Sequence, residues 1–142
     1  MSDLLDTFNI AASGLNAESL RLHTIATNMA NARTTRTEDG SGPYQRQVPV
    51  FSAQVLDPFG DELDRATSRV EVTEIRTDAR PPVRVFDPGH PDADADGYVA
   101  YPDINILQEM VDMMTTNRSY EANANVVDST RSMAMTALSI GK

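Results

Sequence analysis

Apolar residues in the first thirty positions recur three and four apart, at Leu5, Phe8, Ala12, Leu15, Leu22 and Met29, which predicts one amphipathic helix over residues 3–32. Written in sevens, one column is large (Phe8, Leu15, Leu22, Met29) and the other is mostly small (Leu5, Ala12, Ser19, Ala26). Small side chains let two backbones approach while large ones fill the seam, so the pattern expects a neighbouring helix. Gly14 interrupts it at a cost of about 1 kcal/mol relative to Ala and calls for a packing reason or a bend. Asn31, followed by the β-branched Thr34 and Thr35, suits the closing turn.

Over residues 35–101 the pattern changes. Seven of the eight prolines fall here, between short runs at Val48–Phe51, Val70–Ile75, Val83–Phe86 and Tyr98–Tyr101 that read as strands. Pro81 and Pro82 set the third of these at a sheet edge, and the acidic stretch Asp57–Ser68 reads as a surface loop. From Pro102 helical spacing returns and continues through Ile140, with Pro102 or Asp103 in the first turn. One stripe runs through Ile104, Leu107, Val111, Met114, Val126, Met133 and Ile140. A second contains Met110, Met113, Tyr120, Val127 and Leu138. Together they cover more of the helix than one partner can bury, so several neighbours are expected.

Length turns this pattern into an architecture. At about 1.5 Å per residue the first helix spans roughly 45 Å and the second roughly 55 Å. A compact domain of 142 residues has a diameter near roughly 37 Å. The expected fold is therefore α+β, mainly α, with long N- and C-terminal helices paired as an antiparallel coiled-coil-like unit. A small β-rich domain lies between them, giving segments 1–34, 35–101 and 102–142. Such a pair cannot hide its outward apolar rows, and other chains must cover them.

Charge and composition narrow the chemistry. A net charge of −9 and a pI near 4.5 leave no basic surface for nucleic acid or anionic lipid. Cysteine is absent, which removes thiolate nucleophiles and disulfides. No apolar run reaches the about 18 residues of a membrane span, so direct membrane insertion is not expected. The start, MSDLLDTFNIAASGL, lacks the basic region and continuous apolar core of a secretory signal, which predicts either a cytoplasmic chain or another export route.

The most chemical-looking segment is Asp92-x-Asp94-x-Asp96-Gly97, with Asp103 six residues after the glycine, close to the spacing of a calcium-binding loop. Asp instead of Glu at the last ligand position, and Pro88, Pro91 and Pro102 around it, argue for a turn instead; the calcium module stays as an alternative. His23 reads as a surface or interface side chain. His90, clamped by Pro91, reads as part of a turn; a hydrolase built on it with Asp87 or Asp92 lacks a nucleophile and an oxyanion stabiliser. No cofactor, metal or catalytic residue is expected.

Residues 13–35, SGLNAESLRLHTIATNMANARTT, resemble the N-terminal signature of bacterial flagellar axial proteins, with Met29 where Leu is usual. Gly42-Pro43-Tyr44, the segment DPGHPDADADGYV at 87–99 and RSYEAN at 118–123 are similar to those of proteins of the proximal rod. The likeness runs nearly end to end, though another rod or axial protein of the family remains an alternative. Asp103 stands where Asn is expected. The resemblance implies a structural subunit of the basal-body proximal rod, which crosses the periplasm as a hollow helical shaft, with paired terminal helices as an inner tube. The implied partners are copies of itself, other rod proteins and the flagellar type III export apparatus, with no cleaved signal peptide.

In that reading the subunit interface takes Phe8, Leu15, Leu22, Asn28, Met29 and Asn31 from the first helix. From the second it takes Ile104, Leu107, Val111, Met114, Tyr120, Asn123, Val126, Met133 and Ile140. Asn28 and Asn123 are assigned to fixing register, as polar residues in helical seams do. Tyr44, His90, Asp92, Asp94, Asp96 and Tyr98 are expected to touch a neighbour from the loops.

Overall fold

The structure, a computed structural model, describes residues 2–55 and 68–140. Helix α1 covers Ser2–Ala30, followed by strands β1 (Gln47–Val55), β2 (Ser68–Thr77), β3 (Val83–Phe86) and β4 (Tyr98–Tyr101), and helix α2 covers Ile106–Ile140. The fold is mainly helical with a minor β component. The expected surface loop at Asp57–Ser68 lies outside the described residues, apart from Ser68, which opens β2.

All four apolar runs are strands, but they do not join into one sheet. β1 pairs antiparallel with β2 and β3 with β4, as two separate two-stranded ribbons. Val50 faces Glu74 while Phe51 faces Val72, so Thr73 is an extra residue, and its hydroxyl donates to the Val50 carbonyl at 3.2 Å. A bulge exchanges the faces of a strand, which explains why Val70 and Val72 keep one alternation and Ile75 falls out of step.

The second helix begins later than Pro102 or Asp103. The amides of Leu107 and Gln108 donate to Asn105 Oδ1 at 3.0 and 3.3 Å, making Asn105 the N-cap. Asp103 instead holds Arg80 at 2.8 Å, and Ile104 lies in the turn ahead of the helix. At the other boundary Asn31 ends α1 as expected. Its backbone and side-chain N–H groups both donate to the Thr27 carbonyl at 3.0 Å, and its own oxygens receive the Thr34 amide and hydroxyl.

α1 lies against α2, and β1–β2 lies along α1, where the Val70 amide donates to Ser13 Oγ at 3.1 Å. The helix seam is phased differently from the expected columns. Its buried positions in α1 include Ala11, Ala17, Thr24, Ile25 and Asn28, whereas Leu5, Phe8, Ser19 and Ala26 are exposed and Leu15, Leu22 and Met29 half-buried. Gly14 supplies the reason. A Cβ there would stand 2.8 Å from Asn123 Nδ2, so α2 packs tightly over the glycine and leaves no room for a larger side chain.

On α2 the facing column is polar and spaced by sevens: Glu109, Thr116 and Thr130 are buried and Asn123 half-buried. The threonines spend their hydroxyls on their own helix, Thr116 on the Asp112 carbonyl at 2.7 Å and Thr130 on Val126 at 2.8 Å. Thr24 does the same in α1, on Leu20 at 2.9 Å. Buried apolar side chains are few: among the described residues they are Ala11, Ala17, Ile25, Ala32, Val99 and Pro102. The accessible surface is 10022 Å², against about 7200 Å² for a compact monomer of this mass. The chain is therefore far more open than a compact globule of its mass.

Candidate functional site

Two surfaces stand out, one closed and one open. The closed one is a polar latch where α1, β1 and α2 meet. Asn28 and Glu109 are each only 1% exposed. Asn28 Nδ2 donates to the Gln47 carbonyl at 2.9 Å and to Glu109 Oε2 at 3.3 Å, while its Oδ1 accepts from the Gln47 amide at 2.9 Å and the Tyr44 hydroxyl at 3.1 Å. All four hydrogen-bonding positions of the amide are used. Arg46 donates to Glu109 Oε1 from both Nε and Nη2 at 2.7 Å. A carboxylate this deep is tolerable because it is paired and both its oxygens are occupied. Burial, and then the nearby Glu109 charge, push the Tyr44 phenol above its usual pKa and keep its proton in place for Asn28.

Asn28 and Tyr44 are residues the sequence assigned to contacts with a neighbour, and here they bond within the chain, while Arg46 and Glu109 were missed. The signal was the polar column at 109, 116, 123 and 130, whose spacing marks one helix face as clearly as an apolar stripe does. Asn28 is enclosed by its own chain, and Asn123 packs against Gly14.

The open surface is the other side of α2. Leu107 is 74% exposed, Val111 55% and Met114 59%, in a row on one side of the helix, while Val126 and Met133 are exposed further along at the edge of the seam, each three residues after Asn123 or Thr130. Tyr120 is exposed too, as is Phe8 on α1. Leu15, Leu22, Met29, Asn31 and Ile104 are half-buried, and the side chain of Ile140 lies outside those described. Isolated apolar side chains on a surface mean little, but a continuous row marks a contact face.

The acidic loop joins β3 to β4. Asp94 Oδ1 accepts from the amides of Asp96 at 3.0 Å and Tyr98 at 2.9 Å, and its Oδ2 pairs with Arg84. The Tyr98 amide, helped by Arg84 and the Asp96 amide, holds the Asp94 carboxyl below its usual pKa. Asp92 accepts from the Thr35 hydroxyl at 2.7 Å, and His90 Nδ1 from the Asp92 amide at 3.1 Å. Gly97 has φ +80°, and a Cβ there would sit 3.0 Å from Phe86 Cε2, so both backbone and space require glycine. The carboxylates thus serve turns and neighbouring donors, and no trio of His, Cys, Asp or Glu among the described residues could hold a metal. The calcium reading gains no support. Tyr98 stacks edge-on with Phe86 at 5.3 Å, leaving much of its ring open.

Both surfaces draw on the terminal helices, the latch with Tyr44, Arg46 and Gln47 added from the middle of the chain, and both ends match known families. Residues 8–36 match the family described as "Flagella basal body rod protein", and residues 95–140 match "Flagellar basal body rod FlgEFG protein C-terminal". Relatives named "Flagellar basal-body rod protein FlgC" align along the whole length. The protein of Borreliella burgdorferi is 41% identical over 96% of this chain and 97% of its own. That of Yersinia enterocolitica is 42% identical over 98% of each, and that of Bacillus subtilis 36% over 96% and 97%. The chain belongs to the FlgC family of flagellar basal-body rod proteins. In this FlgC-family chain Asn28 falls in the first matched segment and Glu109 in the second. The latch therefore joins the two parts by which the family is recognised.

Proposed function

We propose that this structural rod subunit works by presenting the outer rows of its helices to other chains, and that its activity is assembly, without catalytic turnover. The terminal helices act as an antiparallel coiled-coil-like unit. Gly14 against Asn123 and, fourteen residues on in α1, Asn28 against Glu109 support that pairing, as do buried positions spaced by sevens. Phe8, Leu107, Val111, Met114, Tyr120, Val126 and Met133 face neighbouring subunits, which are copies of this chain and other rod proteins of the proximal rod. Different patches meet head to tail, and a rotation that does not close yields a helical tube. The loop residues around Asp92 and Tyr98 make further contacts. The chain reaches the rod through the flagellar export apparatus without a cleaved signal.

The exposed row on α2, opposite a seam of small and polar residues, is the observation that carries this reading. Val111→Asp and Met114→Asp place a charge in the row without touching the seam. Expressed in cells lacking the native protein, each is expected to fold normally and to abolish rod incorporation and motility. Normal rods and swimming in both variants would refute the proposal.

A further inference from the structure

Sulfur in this chain is distributed in an unusual way. There are seven methionines and no cysteine, so thioethers are the only sulfur that an oxidant meets. Five of the seven lie in α2, and they divide by burial. Met110 and Met114 are 47% and 59% exposed, one helical turn apart and flanked by Leu107 and Val111. Met113, beside them in sequence, is half-buried, as is Met29 in α1. Two accessible thioethers thus lie one turn apart at the start of the row, a second exposed pair, Met133 at 55% and Met135 at 64%, lies near the far end of α2, and the sheltered Met29 and Met113 serve as internal references.

We propose that Met110 and Met114 form an oxidation site that controls the assembly competence of the free chain; this rests on the outer row being an assembly face. The reagent class is a peroxide. A thioether sulfur lone pair attacks one peroxide oxygen, an S–O bond forms as the O–O bond breaks, and the departing hydroxide takes the proton from the newly bound S–OH oxygen and leaves as water. Sulfur loses two electrons to become a sulfoxide and hydrogen peroxide is reduced to water, so no further reactant is needed. The product places a strongly polar S=O group on a surface that functions by being apolar. Neither side chain contributes to the latch, so the folded chain survives the change. Once neighbours cover the row, the sulfurs are shielded, which confines the sensitivity to subunits not yet incorporated.

The first test treats the purified full-length chain with hydrogen peroxide and follows each methionine by peptide mass spectrometry. Met110 and Met114 should oxidise several-fold faster than Met29 and Met113, with the helical circular dichroism unchanged. Equal rates at all four would overturn the proposal. The second test replaces the native gene with Met110→Gln/Met114→Gln, which imitates the polarity of the sulfoxide, or with Met110→Leu/Met114→Leu, which cannot be oxidised at these two positions but keeps the exposed Met133 and Met135. The Gln pair should lower rod incorporation about tenfold or more. The Leu pair should assemble normally and keep assembling when cells are exposed to peroxide at a dose that halts the native chain. A Gln pair that assembles like the native chain, while Val111→Asp does not, would refute the oxidation site and leave the assembly face standing. If Val111→Asp assembles as well, the reading beneath it has failed.

Discussion

Leu107 and Glu109 are two residues apart on one helix and live in opposite worlds: the leucine is largely in water and the glutamate wholly out of it. A monomer built for its own stability would reverse them. The side of α2 facing α1 is polar and small, its threonines satisfied by their own helix and Glu109 by the latch, while the outward side is oily in its first turns, at Leu107, Val111 and Met114. In the proposed assembly, the exposed apolar area at the start of α2 serves contacts between molecules. Specific polar contacts are used inside the chain to fix how α1, β1 and α2 sit together.

The sharpest way to break that contrast is at the latch. Glu109→Ala leaves Arg46 and Asn28 without their buried acceptor and should destabilise the chain by about 3 kcal/mol, read by denaturant unfolding. A loss under about 1 kcal/mol would mean that the inner polar side does not hold the fold. Next is the tight packing over Gly14. Gly14→Val should cost about 2 kcal/mol by forcing the helices apart at Asn123. With Asn123→Ala present, Gly14→Ala should instead become stabilising by about 0.5–1 kcal/mol, as helix propensity takes over from steric conflict. On the outer side Leu107→Ser should change stability by no more than about 0.5 kcal/mol, because the leucine has nothing to lose in the isolated chain.

The smallest effect concerns the β3–β4 loop. Because Asp94 is held below its ordinary value of 3.8, its contribution to local order is complete above that pH and fades as pH falls through the lower folded value. Amide exchange at Asp96 and Tyr98 should therefore quicken below about pH 4 relative to that of β1. Asp94→Asn should quicken it at neutral pH and remove the acid dependence. Unchanged protection in acid would show that the Arg84 pairing and the amide contacts do not order the loop.

The sequence revealed the elements better than their phasing. The strands could be read because each is a short apolar run between prolines, glycines or acidic turns, and the end of α1 because Asn31 and the threonines after it are local signals. The start of α2 was misplaced because Pro102 and Asp103 look like a helix entrance. The decisive preference of Asp103 is for Arg80, a residue distant in sequence, which leaves Asn105 to cap. The bulge at Thr73 has no local mark. Glu109 was passed over for a related reason: charged residues on helices are mostly solvated, and its partner Arg46 comes from a different element. In Gly14 the sequence posed the question of a packing reason or a bend, and the Asn123 contact supplied the packing reason.

The inward-turned threonine hydroxyls carry a mechanical consequence. Since Thr24, Thr116 and Thr130 are each satisfied within their own helix, prising α1 from α2 over those stretches strands no donor and leaves no acceptor bare. Resistance to peeling is concentrated at the rivet made by Asn28, Arg46 and Glu109. Pulled apart from the far end, the two rods should slip open with little force until that point and then yield in a single abrupt step.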